Sequence, residues 1–511
     1  MRIDGVRTEG RIPTGISGLD HILHGGLLRG SFFLVQGDPG SGKTTLAIQY
    51  LLACQKQGEI GLYVSLTESL EDIRRTCESH SWDNTQLNVI DLTQARANLA
   101  QKKEGTLFDQ EDTIFSPSEV ELAEITQAVI AEVERLSPQH VVFDGLSEMR
   151  LLSADILRYR HQILALKHFF EARKITVLLL DDRSSPTPEV PSESLVGGNL
   201  LMERYLPDYG DMRRRLQITK LRGAPFRGGY HDYAIIQGGI AVYPRITVPT
   251  ATMSTVITES REVFSSGIVN MDNMIGGGIE SGTTTLLVGP SGLGKSTIAM
   301  QYASAALARG QKAAVYLFDE ILPTFFDRVE KLGVHGAREY AESGQLYAQQ
   351  VNPAELSPNG FAQEVRRAVD AGARIVILDS LNGYLNAVSE ERYLSMHLHE
   401  LFTYLNLNGV ATIAVVAQHG MIRMEQMQLD VSYLADTVLL FRNFEAQGQI
   451  LKAMCVVKRR TGKHEQTLRQ LSITTEGIQI GQPLSAFHGV MTGVPEYRGE
   501  TNLTLQNKDA T

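Results

Sequence analysis

The sequence predicts an α/β fold that occurs twice along the chain, each copy being a mostly parallel sheet covered by helices. Two observations lead to this prediction. The glycine-rich segment GDPGSGKT at residues 37–44 recurs as GPSGLGKS at residues 289–296. Around both segments, apolar runs of strand length alternate with longer helical runs, as in parallel sheets that are buried on both faces. The 511 residues leave room for two such domains.

Both glycine-rich segments match G-x-x-x-x-G-K-[ST], the phosphate loop of nucleotide-binding proteins. An apolar strand precedes each loop, at 32–36 or 285–288, and a helix begins at its lysine, Lys43 or Lys295. Backbone N–H groups and the helix N-terminus attract phosphates there, while the lysine reaches the outer phosphates. The residues predicted to bind ATP are Gly37, Asp38, Pro39, Gly40, Ser41, Gly42, Lys43 and Thr44, then Gly289, Pro290, Ser291, Gly292, Leu293, Gly294, Lys295 and Ser296.

The spacing of matched positions indicates a tandem duplication. Lys295 lies 252 residues after Lys43 (295 − 43), and the lead-in segments GLDHILHGG at 18–26 and NMDNMIGGG at 270–278 share this displacement. Solenoid repeats have periods of about 20 to 50 residues, so a displacement of this size indicates duplicated domains. The predicted organisation is a first domain at 1–246, a linker at 247–262, a second domain at 263–498 and a flexible tail at 499–511.

The remaining elements follow from the local pattern of each copy. After the first loop, the predictions are a strand at 60–66, a helix at 69–80, a surface loop at 101–118, a helix at 119–135, strands at 140–144 and 175–180, and an antiparallel edge near 216–221. In the second copy, apolar strands are predicted at 375–379 and 411–417. Strands and helices that alternate in this way favour a parallel sheet with helices on both faces.

Two strands end in an aspartate, Asp144 and Asp379, which are 235 residues apart (379 − 144). In phosphate-loop sites a strand-terminal aspartate and the loop hydroxyl hold magnesium. The predicted magnesium ligands are therefore Thr44, Asp144, Ser296 and Asp379. Apolar strands that end in aspartate are common, so a structural strand end is the alternative interpretation of each residue alone.

Hydrolysis of ATP also needs a group that orients the attacking water. Glu68 and Glu320 both follow the second strand of their copy, and they are 252 residues apart (320 − 68). Asp319 precedes Glu320, whereas Thr67 precedes Glu68. We predict catalytic roles for Glu68, Glu320 and Asp319, with an exposed strand-end carboxylate as the alternative.

A matched basic pair lies on a late strand of each copy. Lys220 and Arg222 precede Lys458 and Arg460 by 238 residues (458 − 220). These side chains either form a solvated face or reach a nucleotide held by an adjacent subunit, as an arginine finger does. The second interpretation requires a ring of subunits.

Composition excludes several classes of protein. No apolar run has the roughly 18 residues of a membrane helix, and the first residues lack an apolar signal region, so we expect a cytoplasmic protein with no membrane partner. The three cysteines form no C-x-x-C motif, which argues against a disulfide framework or a zinc ribbon. The formal charge of −10 argues against nucleic acid as a partner.

Taken together, the paired loops, the lead-ins, the strand-end glutamates and the basic late strands resemble the KaiC family over about residues 14–498. The resemblance implies two tandem RecA-like P-loop NTPase domains in a two-tiered homo-hexamer, with ATP and Mg²⁺ at the subunit interfaces. It further implies ATP hydrolysis in the first tier, serine/threonine autokinase activity in the second, a circadian timing or signalling role, and a KaiB-like or other signalling protein as partner.

The resemblance also implies roles for single residues. Lys220 and Arg222 would act on the first site of a neighbouring subunit, and Lys458 and Arg460 on its second site. The family's phosphorylated Ser-Thr pair corresponds to Ser432 and Tyr433, so Ser432 is the expected phosphorylation site. The replaced threonine argues against a two-step phosphorylation cycle. Ser432 has a counterpart at Ser194 (432 − 238), so an inherited structural serine is the alternative.

Two functions from other classes remain open at this stage. A RecA-like DNA motor, of the recombinase or helicase type, would share the loops, although the acidic composition and the lack of a Lys/Arg-rich loop with interleaved aromatics argue against it. A nucleotide-gated scaffold would bind ATP only to assemble the ring. DNA-stimulated hydrolysis would favour the motor, and intact hexamers without turnover would favour the scaffold.

Overall fold

The computed structural model divides into two compact units, Met1–Arg245 and Ile246–Thr511. Most of the predicted linker at 247–262, the predicted tail at 499–511 and residues 101–116 of the predicted loop lie outside the described residues. The structure describes residues 2–3, 6–7, 10–83, 85, 87–93, 117–153, 156–183, 192–207, 210–247, 261–352, 354–355, 357–386, 391–418, 432–446, 448–492 and 495–497.

The first unit alternates strands and helices before it ends in a run of strands. Its described strands are β1 Arg2–Ile3, β2 Val6–Arg7, β3 Arg11–Ile12, β4 Leu27–Leu28, β5 Phe32–Gly37, β6 Gly61–Ser65, β7 Asn88–Asp91, β8 His140–Asp144, β9 Thr176–Asp182, β10 Gly198–Tyr205, β11 Arg213–Leu221, β12 His231–Ile236 and β13 Gly239–Tyr243. Its described helices are α1 Ser17–Ile22, α2 Lys43–Lys56, α3 Leu70–Ser79, α4 Pro117–Leu136, α5 Leu146–Leu152 and α6 Ile156–Ala172.

The second unit repeats this order of elements. Its described strands are β14 Val263–Phe264, β15 Ile279–Glu280, β16 Thr284–Gly289, β17 Lys312–Leu317, β18 Leu346–Gln350, β19 Ala373–Asp379, β20 Ala411–Ala417, β21 Thr437–Ala446, β22 Gln449–Arg459, β23 Arg469–Thr474, β24 Gly477–Pro483, β25 Phe487–His488 and β26 Glu496–Tyr497. Its described helices are α7 Val269–Met274, α8 Lys295–Ala308, α9 Leu322–Lys331, α10 Ala337–Glu342, α11 Pro358–Asp370, α12 Leu381–Asn386 and α13 Glu391–Leu407.

Each unit contains one nine-stranded sheet, and the two sheets share a topology. The first has the order β7-β6-β8-β9-β5-β10-β11-β12-β13, and the second has the order β18-β17-β19-β20-β16-β21-β22-β23-β24. In this order, the first six strands of each sheet run parallel to one another, β7 to β10 in the first sheet and β18 to β21 in the second. The last three strands of each sheet are antiparallel to their neighbours. The predicted fold class, with its antiparallel edge, is thereby confirmed.

Apolar side chains fill both faces of each parallel region, which explains why these strands read as continuous apolar runs. On β5, Leu34 belongs to one buried cluster and Val35 to the cluster on the opposite face. On β16, Leu286 and Leu287 divide in the same way. Burial on both faces fixes the strands, so their carboxyl ends form a stable edge for a site. Among the described residues, no helix is long and apolar enough to cross a membrane.

Candidate nucleotide-binding sites

Each phosphate loop joins the central strand of its sheet to a helix that begins at the loop lysine. The residue before each helix is a glycine in the left-handed region, Gly42 at φ 95° and Gly294 at φ 87°. The backbone angle of Gly294 favours glycine, and a Cβ added there would lie 1.9 Å from Cδ1 of Ile473, so the end of that side chain would have to move. The turn leaves the N–H groups of the first helical turn facing the loop, where they can bind anions.

In the first site, Lys43 bridges the loop and a neighbouring strand. Its Nζ donates to the carbonyl oxygens of Gly37 at 2.8 Å and Asp38 at 3.2 Å. The same Nζ forms an ion pair of 2.6 Å with Asp182, the last residue of β9. Asp182 pairs with Gly37 in the sheet, and this register places its carboxylate beside the loop. Asp182 therefore forms an ion pair with the lysine that the sequence predicts to bind phosphates.

The predicted magnesium and water residues of the first site come together around Thr44. Its Oγ1 lies 3.3 Å from Oε1 of Glu68 and 3.5 Å from Oδ2 of Asp144. Tyr63, on β6, donates its hydroxyl to the same Asp144 oxygen at 2.5 Å. Oε2 of Glu68 is buried and has no hydrogen-bond partner within the described part of the chain. A buried carboxylate oxygen without a donor fits a bound cation or an oriented water.

Burial shapes the electrostatics of this acidic pair. It raises the pKa of Glu68, and the nearby Asp144 carboxylate raises it further. Burial also raises the pKa of Asp144, although the hydrogen bond from Tyr63 opposes that shift. Both groups are thus destabilised as anions when no cation is present. A divalent cation would remove this penalty, so the electrostatics of the site favour magnesium.

In the second site, the side-chain hydrogen bonds of Lys295 to described residues all go to the loop. Its Nζ donates to the carbonyl oxygens of Gly289 and Pro290, both at 2.7 Å. Ala417 pairs with Gly289 and takes the sheet position that Asp182 has in the first site. Burial lowers the pKa of Lys295 to about 8, and the charge of Asp379 opposes this shift only partly. A phosphate would stabilise the charged lysine.

The acids of the second site lie at the ends of β17 and β19. Ser296 hydrogen-bonds to Asp379, whose pKa is raised by burial. Ser380 donates its hydroxyl to Asp319. Glu320 accepts two hydrogen bonds from Arg328 on α9, from Nη2 to Oε2 at 2.6 Å and from Nε to Oε1 at 3.1 Å. Both oxygens of the predicted water-orienting carboxylate are therefore engaged.

A cavity of about 350 Å³ opens above the second loop. It is lined by residues that include Lys295, Ser296, Asp319, Glu320, Arg328 and Asp379. Lys452 also lines it and donates to the carbonyl oxygen of Gly292 at 3.0 Å. The cavity thus combines cationic donors for phosphates with carboxylates for a metal ion. Its size lies within the range of small-molecule sites.

Of the predicted trans-acting residues, Lys220 and Lys458 lie on the late strands β11 and β22, and Arg222 and Arg460 directly follow these strands. Lys220 donates to the carbonyl oxygen of Glu193. Lys458 donates to the carbonyl oxygen of Ser432 at 2.8 Å, and Arg460 donates to that of Tyr433, also at 2.8 Å.

Ser432 and Ser194 both lie in single 3-10 turns, but Ser432 is the first residue of Ser432–Leu434, whereas Ser194 is the last residue of Ser192–Ser194. In each unit the turn accepts a hydrogen bond from the matching late-strand lysine. This shared contact supports a structural role for the turn in both copies. Phosphorylation of Ser432 stays a prediction, as do the trans roles of Lys220, Arg222, Lys458 and Arg460.

The donor sets of both sites suit ATP and magnesium. A lysine, glycine-rich backbone and a helix N-terminus surround the place for phosphates. A hydroxyl and a strand-end carboxylate, Thr44 with Asp144 or Ser296 with Asp379, offer the oxygen ligands that magnesium prefers. The assignments of these residues stay predictions.

Sequence reasoning missed Tyr63, Asp182, Arg328 and Lys452. Tyr63 and Arg328 have no matching residue at the 252-residue displacement, where Val315 and Thr76 stand. A search for paired motifs therefore could not find them. Asp182 closely follows the predicted apolar strand at 175–180, but its place beside the loop depends on the pairing of β9 with β5, which the sequence analysis did not predict.

Comparisons with known proteins agree with this geometry. The family model described as "ATPase: KaiC" matches residues 12–247 and 264–485. The chain is 23% identical to the circadian clock oscillator protein KaiC of Parathermosynechococcus lividus, over 97% of this chain and 91% of that protein. It is 24% identical to the circadian clock oscillator protein KaiC of Prochlorococcus marinus, over 95% of each chain. The circadian clock protein KaiC3 of Synechocystis sp. is 22% identical over 98% of this chain and 97% of its own length.

Proposed function

The chain belongs to the KaiC family of ATPases, and from this premise we propose that it is a magnesium-dependent ATP hydrolase that works as a two-tiered homo-hexamer. One observation carries the proposal: both units place a loop lysine, a loop hydroxyl, a strand-end aspartate and a strand-end glutamate around one loop. A duplicated structural motif would not need to preserve all four chemical groups in both copies.

In the first site, the chain's own residues divide the work of hydrolysis. The amides of the loop and Lys43 bind the outer phosphates once Lys43 leaves Asp182. Glu68 orients the attacking water with its free Oε2 and accepts a proton from it, a role that its raised pKa favours. Thr44 and Asp144 hold the magnesium ion, which supplies charge neutralisation on the phosphates when bound.

The ring assembly supplies the groups that each unit lacks. Lys220 and Arg222, and Lys458 and Arg460, reach the nucleotide of the next subunit in this proposal. What supports it is that these residues lie on or directly after the late strands β11 and β22, where the side-chain hydrogen bonds of the two lysines and Arg460 to described residues go to the 3-10 turns of their own unit and not to its loop. In such a ring, each site is complete only at a subunit interface.

The second unit is proposed to add serine/threonine autokinase activity, with Ser432 as acceptor and with a timing or signalling role for the ring. The circadian clock names of the similar proteins support this part of the proposal. A KaiB-like or other signalling protein would then read the phosphorylated state.

The proposal is tested by incubating the purified full-length protein with γ-labelled ATP and magnesium. Phosphate release, label on the protein and native mass are followed for wild type, Glu68→Gln, Glu320→Gln, the protein that carries both glutamine substitutions, and Ser432→Ala. We expect hexamers, phosphate release that falls roughly a hundredfold in the protein carrying both glutamine substitutions, and label that is lost in Ser432→Ala. Ser194→Ala is the control, because Ser194 is the counterpart of Ser432 at the 238-residue displacement and lies in the 3-10 turn of the first unit.

Two outcomes would contradict parts of the proposal. Phosphate release without label on the protein would remove the autokinase and leave an ATPase. Intact hexamers that release no phosphate, unchanged by either glutamine substitution, would favour the nucleotide-gated scaffold.

A further inference from the structure

The carboxylate that should orient water in the second site is held by an arginine of its own unit. Arg328 donates from Nη2 and Nε to the two oxygens of Glu320, at 2.6 and 3.1 Å. Its Nη1 lies 3.4 Å from Oγ1 of Thr297, the buried residue that follows the loop serine. The guanidinium therefore links α9 to the start of α8 and fixes the glutamate between them.

The first site lacks this contact. Position 76, which matches Arg328 (328 − 252), is a threonine whose Oγ1 donates to the carbonyl oxygen of Asp72 within its own helix at 3.0 Å. Glu68 instead accepts from Thr44, and its second oxygen is left without a partner in the described part of the chain. The two glutamates thus share a register but differ in what holds them.

A carboxylate can orient and deprotonate a water only through an oxygen that is free to accept from it. A guanidinium that donates to both oxygens of a carboxylate uses one lone pair of each oxygen and fixes the plane of the carboxylate. We propose that Arg328 is a positioning residue that restrains Glu320, so that the second site hydrolyses ATP slowly and retains its nucleotide while the first site turns over. This inference rests on the proposed ATPase function and extends it.

The surroundings of Arg328 explain why the restraint is reversible. Its charge acts on Asp379 as well as on Glu320, so it partly compensates the acidic cluster of the second site. The side chains of Arg328 and Glu320 are 31% and 25% exposed, and pairs with such access to water are of modest strength. We therefore expect release of the pair to raise the rate at the second site by roughly three- to tenfold.

The test isolates the second site with Glu68→Gln and then replaces Arg328 with glutamine in the full-length protein. Phosphate release per chain should rise about three- to tenfold through kcat, with KM for ATP nearly unchanged. Arg328→Lys, which keeps one charge but loses the two-point geometry, should fall between the two rates. When Glu320→Gln is also present, Arg328→Gln should have no effect, because the restraint acts through Glu320.

Arg338→Gln is the matched control. Arg338 also forms ion pairs with α9, to Asp327 and Glu330, but it does not contact Glu320. This substitution should leave the rate unchanged, whereas a general loosening of α9 would affect both arginine variants alike.

The outcomes separate this inference from the proposed function. If wild type hydrolyses ATP but the second-site rate stays equal or falls in Arg328→Gln, the restraint is wrong and Arg328 assists the reaction instead. If neither wild type nor Arg328→Gln releases phosphate, both proposals fail. If wild type releases no phosphate but Arg328→Gln does, the result would support the restraint and would overturn the proposed hydrolysis in the first site.

Discussion

At the scale of single residues, the two loop lysines show how a duplicated motif acquires different chemistry. Both donate to the two carbonyl oxygens at the start of their loop. Lys43 is also neutralised by Asp182, whereas Ala417 stands at that sheet position in the second unit. Phosphates must therefore displace a carboxylate in the first site, whereas no carboxylate in the described part of the chain forms an ion pair with Lys295 in the second.

Asp182→Ala copies the second unit's residue into the first and should strengthen nucleotide binding there. The alanine removes both a competitor for Lys43 and a negative charge beside the phosphates. Because the Asp182 side chain is 39% exposed, we expect a modest gain of about three- to tenfold in affinity. The measurement is calorimetric titration with ADP in Lys295→Ala protein, in which only the first site reports.

Asp211→Ala, which changes an exposed acid near the end of β10, serves as the control and should leave the affinity unchanged. Weaker binding in Asp182→Ala would contradict the prediction. It would place Asp182 among the groups that hold the metal ion.

The lowered pKa of Lys295 predicts a pH dependence at the second site. Its value of about 8 lies below the ordinary 10.5, so the folded, nucleotide-free protein loses this proton before the unfolded chain does. The unfolding free energy should accordingly rise with pH between about 8 and 10.5. Below about pH 8 it should be lowered by the full cost of burying the charged lysine. Bound phosphates favour the charged lysine, so affinity should fall as the pH rises above about 8.

Calorimetric titration of Lys43→Ala protein with ADP at about pH 8.5, in two buffers of different ionisation enthalpy, measures this effect. Binding should take up more than roughly half a proton. A protein that carries Lys43→Ala and Lys295→Arg should take up almost none, because arginine stays charged. Equal uptake in both proteins would show that another group titrates.

At the scale of elements, the sequence located most of what positions the sites. The helices begin at Lys43 and Lys295 as predicted, because a glycine in the left-handed region precedes each one. Strands 140–144 and 411–417 were predicted to the residue, since buried parallel strands are continuous apolar runs bounded by polar ends. Helix α3 is one residue shorter at each end than the predicted 69–80, and Ser69 caps it by accepting from the N–H of Asp72.

Some of the elements that the sequence did not locate are short or partly exposed. Edge strand β7 has four residues of intermediate burial, and β25 and β26 have two residues each, so none has a clear apolar period. Among site residues, motif spacing found those that both copies share. Tyr63 and Arg328 were missed because their roles depend on which side chains meet across strands and helices, information that spacing along the chain does not contain.

At the scale of the whole molecule, the two units share one sheet topology, but a different side chain is held by an ion pair in each site. In the first site the lysine proposed to bind phosphates pairs with Asp182, and in the second the glutamate proposed to orient water pairs with Arg328. Under these proposals, the first ion pair opposes nucleotide binding and the second opposes hydrolysis. A chain built in this way can hold nucleotide in the second unit while the first unit exchanges it.

Because each unit builds its own loop, lysine and acids, the chain should bind two nucleotides, and removal of one lysine should remove one of them. In the measurement, protein is incubated with magnesium and ADP, separated from free nucleotide and then denatured. Wild type should release about two nucleotides per chain, Lys43→Ala or Lys295→Ala about one, and the double variant almost none. The reason is that each lysine supplies the charge for one set of phosphates. Lys312→Ala, at the exposed start of β17, is the control and should keep the wild-type value. If either single substitution released both nucleotides, the two sites would depend on each other through assembly, and occupancy could not be attributed to each loop alone.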